Sequence, residues 1–262
     1  MNSTADSKQN APQIRRGWQE LRVCGIVDET ADTKTFFFVD HAQGNKPFEY
    51  IAGQYLTFRY DTIGTKPLVR SYTMSSAPRD PDRIAVTVKR VAGGIVSNWM
   101  CDVLKIGDVL RARGPIGKFC YRFSEDEQRL VFIAAGSGVT PFVSMMKQLA
   151  PELGTAQYPT ELCLLVSFRT PADIICKKEL FALRQLKNVK IYFSFSREAS
   201  TDPRDFFGRI DQTLIDRAVG PDFTGATFFT CGPDEMMALT ATHLRNCGVM
   251  EKNIKMESFS SN

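Results

Sequence analysis

No Cys-x-x-Cys pair occurs in the chain, and its seven cysteines (Cys24, Cys101, Cys120, Cys163, Cys176, Cys231 and Cys247) form an odd, scattered set. That pattern argues against a disulfide scaffold, and it lacks the paired spacing of a zinc or iron-sulfur site. Histidine is nearly missing as well. His41 and His243 are the only two; they suggest neither a metal site nor a catalytic triad, and both read as surface positions. No apolar run approaches the roughly 20 residues of a membrane span, and Met1 to Pro12 lack the apolar stretch of a signal peptide. The chain therefore reads as cytoplasmic, with a disordered polar N-terminus over 1–14. An excess of one charge is also lacking: 33 basic residues against 29 acidic ones leave +4, too little to imply nucleic-acid binding and compatible with an acidic protein partner.

What is present is apolar material for two cores. The chain has 262 residues, 43% of them hydrophobic, and a norm of roughly 150 residues per domain favours two modest domains over one large one. The first is expected over 15–124 and the second over 125–262, with the change of character falling in the charged stretch Ser124 to Arg129. Six short β-rich runs fill the first half: Leu21 to Val27, Thr35 to Val39, Tyr55 to Tyr60, Val69 to Met74, Ile84 to Val88 and Val109 to Ala112. Gly, Pro and Asp separate them, so they are expected to close a six-stranded antiparallel β-barrel. In the fifth run Ile84, Val86 and Val88 alternate with Ala85, Thr87 and Lys89, which predicts one buried and one wet face.

Apolar runs then alternate with helical segments, the pattern of a parallel sheet covered by helices. Strands are expected at Leu130 to Ala134, Glu161 to Phe168, Val189 to Phe195 and Ala226 to Thr230. Helices are expected near Pro141 to Leu149, Lys177 to Leu186, Gln212 to Ala218 and Asp234 to Cys247. The fold class is thus β + α/β.

Four segments carry chemistry. Arg70-Ser71-Tyr72-Thr73 places a guanidinium, an aromatic ring and hydroxyls on one strand, a mixture that suits a pyrophosphate and a flavin ring, although an ordinary edge strand would look the same. Gly93-Gly94-Ile95-Val96-Ser97 leads into a helix whose first amides and Ser97 hydroxyl would attract phosphate, or it is simply a capped glycine turn. Gly136-Ser137-Gly138-Val139-Thr140-Pro141 follows a strand and opens a helix with proline, leaving room for a dinucleotide although the third glycine of the common fingerprint is missing. Thr230-Cys231-Gly232-Pro233 lies at another strand end, where open sheets bind ligands, so Cys231 is expected to face one; its bland reading is a small buried hydrophobe.

In this order Arg-x-Tyr-Thr, Gly-x-x-Ser, Gly-x-Gly-x-Thr-Pro and Cys-Gly-Pro resemble the ferredoxin-NADP reductase superfamily over nearly the whole chain, and Glu257-Ser258-Phe259 is similar to its Glu-x-aromatic ending. The resemblance implies FAD on the barrel, held by Arg70, Ser71, Tyr72, Thr73, Val88, Lys89, Gly93, Gly94, Val96 and Ser97, with Phe259 covering the flavin. It implies NADPH or NADH at Gly136, Gly138, Thr140, Pro141, Cys231, Gly232 and Pro233. Tyr72, Thr73, Cys231, Glu257 and Phe259 would border the reacting atoms. Arg169 and Ser196-Arg197 resemble an NADP-type ribose site, with Arg209 near them in the same reading.

The implied activity is transfer of a hydride from NAD(P)H to FAD and of electrons onward to an iron-sulfur acceptor. That acceptor would be a ferredoxin-like [2Fe-2S] protein or domain, as in reductases of hybrid-cluster protein, phenylacetyl-CoA epoxidase and Rieske oxygenase systems. A flavin or ferric-chelate reductase and a non-catalytic electron-transfer subunit are the alternatives.

Overall fold

The computed structural model describes residues 17–63 and 65–259; the N-terminal stretch expected to be disordered lies outside them. Six strands form the first sheet: β1 (Gln19–Thr30), β2 (Thr33–Asp40), β3 (Tyr55–Tyr60), β4 (Leu68–Thr73), β5 (Ile84–Lys89) and β6 (Val109–Ile116). Their order is β4-β3-β6-β1-β2-β5 and every pairing is antiparallel. The two outer strands meet where Met74 bridges Val86, which closes the sheet on itself. Closure removes the free edges that an open sheet would present to other chains. Phe36, Phe38, Leu56, Phe58 and Val86 fill the interior with no solvent exposure. A single helix, α1 (Ile95–Asp102), follows β5 and packs Met100 into that core.

One expectation for β5 fails. Ala85 and Thr87, assigned to a wet face, are 3% and 5% exposed. Their side of the strand is covered by the segment after β4 and by the second half of the chain. There the Thr87 hydroxyl shares hydrogen bonds of 2.8 Å with those of Thr35 and Ser75, and lies 3.9 Å from the Cys176 thiol. Buried hydroxyls that satisfy one another carry little penalty, so a polar face can be an interior one.

The second sheet is wholly parallel, in the order β10-β9-β8-β7-β11-β12. Its strands are β7 (Arg129–Ala135), β8 (Glu161–Phe168), β9 (Val189–Phe195), β10 (Phe206–Phe207), β11 (Ala226–Cys231) and β12 (Ile254–Glu257). The helices α2 (Thr140–Leu149) and α3 (Lys177–Leu183) cover one face, and α4 (Gln212–Val219) and α5 (Asp234–Asn246) the other. Coverage on both faces explains why the central strands are continuous apolar runs. None of the helices among the described residues is long and apolar enough to cross a membrane.

The two halves share packing. Phe119, just past the barrel, sits 5.4 Å from Phe229 of β11 and 5.9 Å from Phe142 of α2. Gly53 lies so close to this seam that a Cβ there would meet the Phe119 carbonyl oxygen at 2.1 Å. Polar bonds add direction: Ser144 donates to the Ser76 carbonyl at 2.6 Å, Lys147 pairs with Asp80 at 2.7 Å, and the Cys176 N–H donates to Glu29 at 3.0 Å.

Candidate active site

A cleft of about 740 Å³ opens where β4, the loop before α1, the turn before α2 and the C-terminal segment converge. Register explains its barrel wall. Tyr55 pairs with Thr73 and Thr57 with Ser71 across β3 and β4, so these side chains share one face, and the Thr57 and Ser71 hydroxyls bond at 2.9 Å. Tyr72 leans from that wall onto Phe58 at 6.2 Å, and burial pushes its phenol well above the ordinary range. Arg70 donates to the Val69 carbonyl at 2.7 Å and pairs with no carboxylate among the described residues. Its charge is therefore available to an anion in the cleft.

The loop before α1 is built to approach a ligand closely. Gly93 has φ +71, which glycine adopts without strain, and a Cβ on Gly94 would come within 2.7 Å of the Ser97 Oγ. The Val91 N–H donates to Ser97 Oγ at 3.1 Å, leaving the hydroxyl hydrogen for another acceptor. No side chain caps the helix, and Gly94 to Ser97 at its start line the cleft, an arrangement suited to phosphate. Lys89 also lines the cleft and is bound to Asp32 at 2.9 Å, whereas Val88 next to it turns its side chain into the barrel core.

Among the described residues of the second half, Ser137, Thr140, Glu257, Ser258 and Phe259 reach this cleft. Thr140 donates to the Ser137 carbonyl at 3.0 Å. Phe259 is 41% exposed at the mouth. Glu257, at the end of β12, has a buried Oε2 without a hydrogen-bond partner, and burial raises its carboxyl to about 7. Such an orphaned oxygen in a cavity wall is a site prepared for a donor that a bound molecule would supply.

Other expected residues sit elsewhere. Cys231, expected to face a ligand, is fully buried and its thiol is pushed far above the ordinary range by desolvation and by the nearby Glu257. The Cys231 side chain belongs to the apolar core of the second half, and the turn before α2 packs on its main chain at Gly138. Gly136 and Gly138 in that turn, Pro141 at the start of α2, and Gly232 and Pro233 after β11 lie outside the cleft lining. Arg169 and Ser196-Arg197 come together at the ends of β8 and β9, where the Arg197 N–H donates to the Arg169 carbonyl at 2.9 Å. His243 is not a surface residue: it is 8% exposed and bonds Asp216 at 2.7 Å. Tyr55, Thr57, Thr87 and Ser137 line the cleft without having been singled out; for the first two, alternation opposite Ser71 and Thr73 was the available signal.

The cleft fits FAD: its volume is that of a cofactor site, and it combines an unpaired guanidinium, a phosphate-type helix start and a buried unpartnered carboxylate oxygen. The fold and cleft define a two-domain flavin- and nicotinamide-binding oxidoreductase. Residues 20–121 match the oxidoreductase FAD-binding domain family and residues 132–242 the oxidoreductase NAD-binding domain family. The chain belongs to the oxidoreductases built from these two domains, one for FAD and one for NAD.

It is 30% identical to the glycine betaine monooxygenase reductase subunit of Pseudomonas aeruginosa over 91% of this chain and 63% of that one. It is also 30% identical to the ferredoxin reductase component of 3-ketosteroid-9-alpha-monooxygenase from Rhodococcus rhodochrous, over 92% of this chain and 65% of that one. The chain thus spans somewhat less than two thirds of the length of these curated relatives. A ferredoxin NADP+ reductase from Neisseria gonorrhoeae, solved with FAD and NADP, shares the fold with a TM-score of 0.78 and 22% identity, covering 93% of this chain and 99% of that one.

Proposed function

We propose that the chain carries a hydride from NADPH or NADH onto FAD and passes the electrons on to an iron-sulfur acceptor, a ferredoxin-like [2Fe-2S] protein or domain of an oxygenase or hybrid-cluster system. The convergence of Arg70, Tyr72, Thr73, the Gly93-to-Ser97 helix start and Glu257-Ser258-Phe259 in one cleft carries this reading. FAD supplies the redox chemistry; the protein places, shields and tunes. Arg70 and the amides before α1 hold the phosphates, and Ser97 adds a hydroxyl. Tyr72 and Thr73, on the cleft wall, would hold the flavin ring system when it is bound. Glu257 holds or releases a proton at Oε2 near neutral pH. Phe259 keeps water from the cleft and moves aside for the nicotinamide.

The turn before α2, with Cys231, Gly232 and Pro233 behind it, forms the floor on the nicotinamide side, where Cys231 acts by shape rather than as a nucleophile. The exposed pair Arg169 and Arg197, brought together at the strand ends, favours NADPH over NADH through the 2′-phosphate. Seven free thiols suit a reducing cytoplasm.

Absorbance spectra of the anaerobic protein with FAD, before and after each nucleotide, test the proposal. Bleaching of the flavin bands is expected, faster with NADPH; a protein that binds no FAD would overturn it. Rates with a purified ferredoxin against free flavins then separate a protein acceptor from a small one.

A further inference from the structure

The α4 and α5 face of the second sheet carries a cluster that the spacing of cysteines in the sequence does not reveal. His243 and Cys247 are four residues apart at the end of α5 and so share one side of the helix. Asp216 of α4 closes the triangle. Its Oδ1 is 2.7 Å from His243 Nε2, Cys247 Sγ is 3.8 Å from the same nitrogen, and the three donor atoms all lie within 4.8 Å of one another. The Phe223 ring stands edge-on to the imidazole at 5.8 Å and 89°, which fixes its plane. Asp216 and Cys247 border a cavity of about 570 Å³ that none of the cleft residues line.

We propose that Asp216, His243 and Cys247 form a binding site for a divalent cation of the zinc class. Carboxylate, imidazole and thiolate are the ligands such ions prefer, and three protein ligands beside an open cavity leave a fourth position for water. Tetrahedral bonds of about 2.0–2.3 Å hold neighbouring donor atoms roughly 3.3–3.6 Å apart. The nitrogen-to-sulfur edge is close to that already. The nitrogen-to-oxygen edge must open by about half an ångström, and Asp216, whose side chain is 53% exposed, is free to move that far.

Binding puts the metal in place of the hydrogen shared by Asp216 and His243 Nε2; that hydrogen moves to Nδ1, so the neutral imidazole ligates through Nε2, and the Cys247 thiol proton is released to solvent. Asp222, on the same cavity wall, is held below the usual carboxylate range by the Thr224 hydroxyl and N–H, and adds negative charge. Arg129 opposes it from the rim, where it donates to the carbonyls of Val219 and Asp222; it is also paired with Glu161. In the second cluster, Glu29, Cys176 and Glu179, Glu29 is already engaged by the Cys176 N–H and the Thr35 hydroxyl.

The full chain loaded with FAD is incubated with Zn²⁺, gel-filtered and analysed for metal, and Co²⁺ is titrated while absorbance is followed in the red, beyond the bands of oxidised flavin. One retained equivalent of zinc and intense tetrahedral cobalt bands are expected. Cys247→Ser and His243→Gln should each weaken binding by about tenfold or more, with FAD content unchanged. Should His243→Gln fail to fold, Cys247→Ser and Asp216→Asn at the exposed rim carry the test. Absence of retained zinc, pale octahedral cobalt spectra, or binding unaltered by Cys247→Ser and Asp216→Asn would overturn the site.

Discussion

Gly138 packs directly on the main chain of Cys231: a Cβ at position 138 would lie 2.2 Å from the Cys231 carbonyl oxygen. Backbone meets backbone here, so no side chain can swing away. Gly138→Ala must therefore separate the turn before α2 from the end of β11, at a cost of about 1–3 kcal/mol or more. Gly136, two residues earlier, has open space around it and only a φ of +55 to object to a side chain. Urea unfolding should show Gly138→Ala losing clearly more stability than Gly136→Ala, and NADPH affinity should fall in the former with FAD affinity kept. Equal losses would mean that the contact relaxes easily.

Glu257 makes stability depend on pH in an unusual direction. Its carboxyl sits at about 7 in the folded protein, against 4.5 for the free group, because burial disfavours the charge. Below pH 4.5 both states are protonated. Between there and about 7 the folded state keeps a proton that the unfolded chain has released, so stability falls as pH rises. The whole effect is at most about 3 kcal/mol, and less where solvent reaches the carboxyl. Glu257→Gln lacks this slope. Melting curves from pH 5 to 8 should show the wild type losing ground to the variant as pH rises; parallel curves would place the carboxyl in the ordinary range.

Much of the architecture was legible because each half follows one rule throughout. Glu161 to Phe168 and Val189 to Phe195 have the expected bounds, since a strand covered on both faces is a mostly apolar run. Thr87 misled because alternation reports polarity, and its hydroxyl is buried against Thr35 and Ser75 rather than wet. The edge strand β12 is four residues long, too short for any period to show. His243 was read as exposed because its partner Asp216 lies 27 residues away, and only the packing of α4 on α5 brings them together. Gly138 reads in the sequence as a glycine that lets a dinucleotide come close, and the structure adds a separate need for glycine there, its packing on the Cys231 main chain. Ser137 was passed over because a serine between two glycines carries no pattern of its own.

Arg70 separates ligand binding from folding. Its guanidinium hydrogen-bonds the neighbouring Val69 carbonyl at 2.7 Å and makes no ion pair among the described residues. Arg70→Ala should thus leave the melting temperature of the FAD-free protein nearly unchanged. A charge-assisted bond to phosphate contributes roughly 1.5–3 kcal/mol, so FAD affinity should drop by about tenfold to a hundredfold. Release of fluorescent flavin on dilution measures this directly. Full flavin occupancy in the variant would remove Arg70 from the phosphate-binding set.

Arg184 is the opposite case, a charge held for the fold alone. Its side chain is 3% exposed, donates to Asp205 at 2.7 Å and Asp202 at 3.3 Å, and lies 5.0 Å from the centre of the Phe193 ring. Asp205 is itself only 6% exposed. Removing the guanidinium leaves that carboxylate buried without its partner, and breaking a buried pair in this way costs about 3–5 kcal/mol. Arg184→Ala should therefore lower the urea midpoint steeply. Pairing it with Asp205→Asn should recover part of the loss, because the orphaned charge is gone. Lysine is a poor replacement, since one ammonium cannot bridge both aspartates and stack on Phe193. A double variant no more stable than Arg184→Ala would show that ring packing, rather than the ion pair, is what the arginine supplies.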